Sequence, residues 1–334
     1  CAAFPEGTTR IYRNTEGLLM PTGVNLPPVY AGAGAWGDMD NDGDLDLVLV
    51  SASFSGIFRN DAPYTFVDLQ IPLPQMTPAT VVWGDIDNDG LSDILINGSV
   101  TADAVAMVWL NQGQGRFMDA CLANLVPLSN GALALGDYDS DGDVDFLMSG
   151  MQMNPWPPNP RMTILYRNNA AVLNLPPAPP ANLRAMVTGN RALLSWDPAA
   201  DDHTPPHGLR YQVRLGTNPG LCDIVSPPAD PLSGWRRLAM SDAALVGTGW
   251  EIRRLAPGTY YWSVQAIDTA LTGSAFAPDQ SFVILPPPEF TGLSLLPGDR
   301  IRLDLAAPGF IQIVFERTVD CLNWSPVATN DVTA

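Results

Sequence analysis

The chain of 334 residues is long enough for two or three domains, and 46% of its residues are hydrophobic, which is ample for several cores. Its formal net charge of −18 argues against nucleic acid as a partner, because binding to phosphates needs clustered Lys and Arg. No run of roughly 18 apolar residues occurs, so no transmembrane segment is predicted. All 17 basic residues are Arg, which excludes chemistry based on lysine.

A nine-residue acidic loop occurs three times in the first half of the chain. Ca²⁺ takes six to eight oxygen ligands, and side chains at loop positions 1, 3, 5 and 9 with the backbone carbonyl at position 7 can supply most of them. Glycine at position 6 allows the sharp turn between them. The loops contain five, four and five of the 35 acidic residues, and a merely solvated acidic surface does not explain their regular spacing. The ligands predicted for three Ca²⁺ ions are Asp38, Asp40, Asp42, Asp44 and Asp46 in loop 1; Asp85, Asp87, Asp89, Leu91 and Asp93 in loop 2; and Asp137, Asp139, Asp141, Asp143 and Asp145 in loop 3.

The residues around the loops exclude an EF-hand. An EF-hand has a helix on each side and a bidentate Glu at position 12, where this chain has Leu49, Ile96 or Met148. A short apolar run follows each loop instead, and such a run bounded by turn residues predicts a buried strand. The predicted strands are residues 45–50, 94–96 and 146–148.

The loops belong to an internal repeat. Asp38 and Asp85 are 47 residues apart, and Asp85 and Asp137 are 52 apart. A second marker keeps the same period. It is a tripeptide of an aromatic residue, then Arg in three of the four copies, then Asn, at residues 12–14, 58–60, 109–111 and 166–168. Periods of roughly 40 to 50 residues with several short strands are typical of β-propeller blades.

The motif Trp-Gly-Asp-x-Asp-x-Asp-Gly-x-x-Asp, followed by an aliphatic strand and the Asn marker, resembles the FG-GAP repeat of integrin α-type (VCBS) proteins over residues 1–170. The resemblance implies propeller blades, with each calcium loop joining neighbouring strands of a blade at the rim. Three loops give about three blades, plus the tail of another in residues 1–30, whereas a propeller typically has four to eight. We therefore expect a piece of a longer protein, or completion of the propeller by another copy of the chain or another surface protein.

A proline-rich linker at residues 171–181 is expected to be stiff and to separate the repeats from a second domain, residues 182–285. Regularly spaced apolar runs there predict a β-sandwich. The segment 255–266 resembles a strand of fibronectin type III domains, which are immunoglobulin-like sandwiches. The resemblance and the parity of the strand place Tyr260, Trp262, Val264 and Ala266 inward, with Tyr260 as a tyrosine corner, and Trp196 is assigned to the same core. The predicted strands are residues 183–187, 192–196, 209–215, 250–255, 260–267 and 281–285.

Residues 286–334 form a third segment. Its residues 316–327 resemble a small β module with an "ERSTDLxNW" signature that occurs near the C-termini of some secreted bacterial proteins. The segment contains too few strands for a sandwich, so we expect a partial module that is completed by further chain or by strand donation between subunits.

The remaining candidate residues give no catalytic site. His203 and His207 lie beside two carboxylates, but the prolines between them exclude the helical spacing of a zinc site, so a polar loop is predicted. Cys1, Cys121, Cys222 and Cys321 show no metal-binding spacing, and the sequence does not decide their disulfide pairing. Lipidation of Cys1 is an open alternative to an ordinary cysteine. With both histidines in one loop, a Ser-His-Asp constellation is not predicted, and we expect no enzyme activity.

The sequence therefore predicts an all-β protein that is calcium-stabilised, extracellular and structural or adhesive. We expect a cell-surface or filament-forming component that makes protein–protein or glycan contacts. The alternative is a non-catalytic accessory region of a larger secreted enzyme that acts on polysaccharide.

Overall fold

The chain is all-β in the computed structural model, which describes residues 9–15, 17–62, 64–101, 103–122, 124–153, 160–231, 233–236, 244–287, 289–296, 300–306, 311–317 and 325–332. None of these residues forms a helix that is long and apolar enough to span a bilayer. The strands within the described residues are β1 (Tyr12–Thr15), β2 (Leu18–Pro21), β3 (Ala33–Gly37), β4 (Asp46–Val50), β5 (Ser55–Ala62), β6 (Thr65–Asp68), β7 (Ala79–Gly84), β8 (Asp93–Val100), β9 (Asp103–Asn111), β10 (Phe117–Asp119), β11 (Ser129–Gly136), β12 (Asp145–Met151), β13 (Arg161–Tyr166), β14 (Ala181–Thr188), β15 (Arg191–Asp197), β16 (Arg210–Gly216), β17 (Leu245–Val246), β18 (Gly249–Ile252), β19 (Gly258–Ile267), β20 (Gln280–Ile284), β21 (Glu289–Leu296), β22 (Arg300–Ala306), β23 (Ile311–Arg317) and β24 (Ser325–Val332).

The repeats form antiparallel sheets in which sequence neighbours pair. Strands β3 to β6 make one four-stranded sheet, β7 to β10 make a second, and β11 to β13 make a sheet of three strands. Strands β1 and β2 pair ahead of them. Each acidic loop joins the first strand of its sheet to the second, so the predicted order of strand, acidic loop and strand is confirmed.

The sheets pack face to face through alternating side chains of the second strands. Val48 of β4 lies in one buried cluster with Ile94 of β8, and Leu95, the next residue of β8, lies in another with Phe146 of β12. Successive residues of a strand point to opposite faces, so β8 contributes to both interfaces. The acidic loops of neighbouring sheets lie beside one another and are joined by side-chain hydrogen bonds.

Residues 181–284 form a β-sandwich. One sheet has the order β14-β15-β18 and the other β17-β16-β19-β20. The predicted inward residues of β19 and Trp196 all lie in the apolar cluster between the sheets. The Tyr260 hydroxyl donates a hydrogen bond to the Ala256 carbonyl at 2.9 Å, the bond expected of a tyrosine corner. The predicted sandwich is confirmed as an architecture.

The linker separates the two regions along the chain, but the sandwich contacts the acidic loops. Arg210 of β16 forms an ion pair with Asp38 of loop 1 at 2.9 Å. Within the linker, the buried Asn174 amide donates a hydrogen bond to the carboxylate of Asp268 at 2.9 Å. The prolines stiffen the connection, but polar side chains before and within the linker form an ion pair and a hydrogen bond with side chains of the sandwich.

The C-terminal segment contains two described hairpins, β21–β22 and β23–β24. The central residues of its signature, 318–324, lie outside the described residues, as do Cys1 and Cys321. Cys121 and Cys222 are free thiols, so no disulfide joins these two. His203 and His207 lie in a loop without regular structure, as predicted.

Candidate metal centres

The backbone of each acidic loop turns through two left-handed residues. Gly43, Gly90 and Gly142 at position 6 have φ between 87° and 96°, a conformation that costs glycine little. At position 4, Asn41, Asn88 and Ser140 have φ between 57° and 63°. The turn that the position-6 glycine predicts is therefore present in all three loops.

The aspartate at position 9 is buried and held by backbone donors at both oxygens. In loop 1, Asp46 accepts bonds from the amides of Met39 and Asn60, each at 2.8 Å. The same pair of bonds recurs at Asp93 in loop 2 and at Asp145 in loop 3. One donor is the loop's position 2, and the other is the Asn of the repeat marker, so the marker fixes a predicted ligand.

The aspartate at position 1 is held in the same way from inside the loop. Its two oxygens accept bonds from the amides at positions 5 and 6, at 2.9 to 3.2 Å in the three loops. The carboxylate at position 5 accepts a bond from the amide at position 7, at 2.8 to 3.1 Å. These bonds orient the carboxylates before any cation binds.

Three carboxylates converge in each loop. The converging oxygens, one from each residue, lie within 4.8 Å of one another in the sets Asp38, Asp40 and Asp42; Asp85, Asp87 and Asp93; and Asp137, Asp139 and Asp145. Ligands on opposite sides of a Ca²⁺ ion at 2.3 to 2.6 Å are separated by about 5 Å, so these sets match the span of a calcium shell. Positions 1 and 3 converge in every loop, whereas the third member is position 5 in loop 1 and position 9 in the others.

At position 7 the predicted ligand is the backbone carbonyl. In loop 3 the side chain at this position accepts hydrogen bonds from residues outside the loop. The Asp143 carboxylate accepts bonds from the Asn88 amide and the Ala170 backbone, each at 2.8 Å. It therefore connects loop 3 to loop 2. The predicted role of Asp44, Leu91 and Asp143 through their carbonyls stays a prediction.

Burial makes a cation favourable at these carboxylates. Burial raises the pKa of Asp38 and of Asp85 to about 6, and that of Asp46 to about 7. It raises the pKa of Asp93 to about 8 and also raises that of Asp145. A buried carboxylate is costly unless it is paired or coordinates a metal. In loop 2 the Oδ1 atom of Asp87 is buried without a hydrogen-bond partner, an orphaned acceptor that a hard cation would satisfy.

Asparagines that the sequence does not single out as functional connect the loops. The Asn41 side chain of loop 1 donates to the Gly90 carbonyl of loop 2 at 2.8 Å. The Asn111 side chain donates to the Met39 carbonyl of the preceding loop at 2.7 Å, and Asn168 does the same to Ile86. The repetition of Asn at position 4 and in the marker was a usable signal, but the pairing of one repeat with the next needed the structure.

The comparisons with known proteins address only part of the chain. Residues 38–96 match the FG-GAP-like repeat. The match spans loops 1 and 2, strands β4 to β7 and the first part of β8. No curated protein matches the sequence.

Among solved structures, the chain is similar to an Agrocybe aegerita lectin described as recognising non-reducing terminal N-acetylglucosamine. The identity is 12%, the alignment covers 90% of this chain and 80% of the lectin, and the TM-score is 0.26. A similarity at this level says nothing about the ligand of this chain.

Proposed function

We propose that this protein is a calcium-stabilised extracellular structural or adhesive protein without catalytic activity. The observation that carries the proposal is the convergence of three carboxylates in each of three loops, at the span of a calcium shell. In this role Ca²⁺ supplies charge compensation for buried aspartates, and the loops supply the oxygen ligands. Calcium-binding extracellular modules have dissociation constants of about 10⁻⁴ to 10⁻³ M, so the proposal places the protein where calcium is abundant.

The exposed end of the stack of sheets supports contacts with another molecule. Val48 and Leu95 occupy equivalent positions, two residues after the position-9 aspartate, and are 0% and 1% exposed. Leu147 occupies that position in the third sheet and is 40% exposed, and its cross-strand neighbour Leu165 is also exposed. A face that packs against a sheet in the first two repeats is thus open in the third, and we propose that a sheet of another copy or another surface protein covers it.

Apolar side chains are also exposed at the other end of the stack. Leu18, Leu19 and Met20 of β2 are all exposed. Contiguous exposed apolar side chains of this kind mark interaction sites. Protein–protein contact at the ends of the stack is therefore the adhesive role that we favour, and glycan contact is the second.

Direct calcium counting tests the metal part of the proposal. Protein dialysed against micromolar to millimolar ⁴⁵Ca²⁺ should bind three ions, and Asp85→Asn with Asp87→Asn should bind fewer. Asp119→Asn, a carboxylate on β10 outside the loops, is the control and should bind as the wild type does. Absence of bound calcium at millimolar concentration would refute the proposal.

Association tests the adhesive part. Sedimentation and negative-stain imaging of the native material should show assemblies, which Leu147→Asp should reduce. Leu193→Asp, which changes an exposed leucine of the sandwich, is the matched control. Monomers at all concentrations, or assemblies that Leu147→Asp leaves intact, would contradict this role for the third sheet. Detection of the protein outside the cell by fractionation tests its proposed location.

A further inference from the structure

The sandwich closes over loops 1 and 2. A Cβ added at Gly208 would lie 2.1 Å from Oδ1 of Asn41 in loop 1, and one added at Gly90 in loop 2 would lie 2.3 Å from the His203 carbonyl oxygen. Distances this short leave no space between the loop 201–209 of the sandwich and the two acidic loops. The sandwich is therefore a cover for these two candidate sites.

Side chains of the sandwich also bond to the predicted ligands of these loops. Arg210 Nη2 donates to Asp38 Oδ2 at 2.9 Å, and Thr269 Oγ1 donates to Asp85 Oδ2 at 2.7 Å. Thr269 is positioned by Thr204, whose hydroxyl lies 2.9 Å from its own. Together with the amide at position 6, each bond fills the acceptor capacity of Oδ2, so Oδ1, which accepts one bond from the amide at position 5, is the oxygen left for a cation.

Loop 3 has a different environment. It borders a cleft of about 540 Å³ between the repeats and the sandwich, and the cleft is lined by Tyr138, Ser140, Asp141 and Trp235 among others. Both aromatic side chains are exposed. Among the described residues, the sandwich makes one hydrogen bond to this loop, from Trp235 Nε1 to Ser140 Oγ at 2.9 Å, and its acceptor is not a predicted ligand. Solvent therefore reaches the third site.

An arginine occupies the ligand positions of loop 3. Arg167 Nε lies 2.7 Å from Asp139 Oδ2, and its Nη2 lies 2.9 Å from Asp141 Oδ2, at loop positions 3 and 5. The guanidinium is 53% exposed, so its ion pairs are weak and can be replaced. The corresponding marker residue is Arg59 in the first repeat, which pairs with Asp61, and Leu110 in the second.

We infer that the three sites are unequal: the covered loop 2, whose position-1 aspartate is bonded by the neutral Thr269, binds Ca²⁺ most tightly, and the open loop 3 binds it weakly and exchangeably in competition with Arg167. Loop 1 is covered, but its Asp38 pairs with Arg210, so its affinity lies between the other two. The inference rests on the proposed calcium binding and concerns its distribution among the loops. Binding at loop 3 requires the guanidinium to leave two ligands, and its positive charge repels the incoming ion.

Equilibrium dialysis with ⁴⁵Ca²⁺ on the full chain separates the sites. We expect the weakest of the three sites to bind about tenfold or more less tightly than the tightest, since the competing ion pairs and charge repulsion together cost that order of affinity. Asp139→Asn should abolish the weakest site and leave the other two. Arg167→Gln should tighten the weak site by about tenfold, whereas Arg167→Lys, which keeps the charge, should stay close to the wild type.

Arg161→Gln is the matched control, because Arg161 lies at the opposite end of β13 and its loss changes the net charge equally. Three sites of equal affinity would overturn the inference while leaving the proposed function intact. So would an Arg167→Gln protein that binds calcium as Arg161→Gln does, or a weak site that Asp40→Asn removes instead of Asp139→Asn. No calcium binding in the wild type would refute both proposals.

Discussion

The repeats and the sandwich are both antiparallel β structures, but they bury different groups. The sandwich encloses an apolar cluster that includes Trp196, Tyr211 and Trp262. The repeat sheets have smaller apolar clusters between them, and they also bury the carboxylates of Asp46, Asp93 and Asp145 at the loop ends. Apolar burial stabilises a domain unaided, whereas buried charges need compensation. We therefore expect the repeats to depend on a cation more than the sandwich, whose buried carboxylate Asp268 accepts hydrogen bonds from Asn174 and Thr272.

Removal of calcium should have the largest effect. An ion that binds only the folded state stabilises it by about 2.7 kcal/mol per site at a hundredfold excess over its dissociation constant. EDTA should therefore lower the melting temperature of the repeats strongly and change that of the sandwich little, as differential scanning calorimetry can measure. A melting curve that EDTA leaves unchanged would contradict the cation dependence.

Acidification should remove the stabilisation that bound calcium supplies. The folded pKa of about 7 for Asp46 and about 8 for Asp93 exceeds the unfolded value of about 3.9. In the metal-free repeats, the raised pKa values of these groups stabilise the folded state. This stabilisation is complete below pH ~4 and is lost as the pH rises through the folded pKa values. Calcium binds the charged form, so the calcium-induced rise in melting temperature should be large at pH 8 and small at pH 5. An equal rise at both pH values would argue against these aspartates as ligands.

Trp262→Ala should destabilise the sandwich by about 3 to 5 kcal/mol, because Trp262 is fully buried between the sheets. Calcium binding should persist, since all predicted ligands lie in the repeats. Urea denaturation combined with calcium dialysis measures both. Leu193→Ala, at an exposed position of β15, is the control; loss of all calcium sites in Trp262→Ala would mean that the repeats cannot fold without the sandwich.

Asn111→Ala should destabilise the repeats by about 1 to 3 kcal/mol, because it leaves the carbonyls of Met39 and Ser92 without their side-chain donor. The neighbouring exposed residue provides the control, Gln112→Ala. If thermal melting shows the same small change in both variants, the connection between loops contributes little.

Tyr260→Phe should have the smallest effect, about 1 kcal/mol, from loss of the hydrogen bond to Ala256. The apolar ring stays in the core, so the sandwich should still fold. Tyr261→Phe, at the adjacent position of β19, is the control in the same urea experiment. A loss above ~3 kcal/mol would show that the hydroxyl does more than close this corner.

Local patterns predicted the elements well. The apolar runs after Asp46, Asp93 and Asp145 are strands, and the parity of β19 identified Trp262 and Val264 as core residues, because both signals depend on neighbours in sequence. The contacts of the sandwich with the acidic loops did not follow from the linker composition. Proline content describes the stiffness of a segment and not the contacts of the domains that it joins.

The sequence by itself determined the acidic loops, their glycine turns and their repetition, because a metal loop is built from residues within nine positions of one another. Only the tertiary structure decided which loops are covered. The bonds from Arg210 to Asp38 and from Thr269 to Asp85 join residues more than 170 positions apart, and Arg167 reaches loop 3 from another strand. Spacing in the chain does not encode such contacts, because they depend on how separate sheets pack.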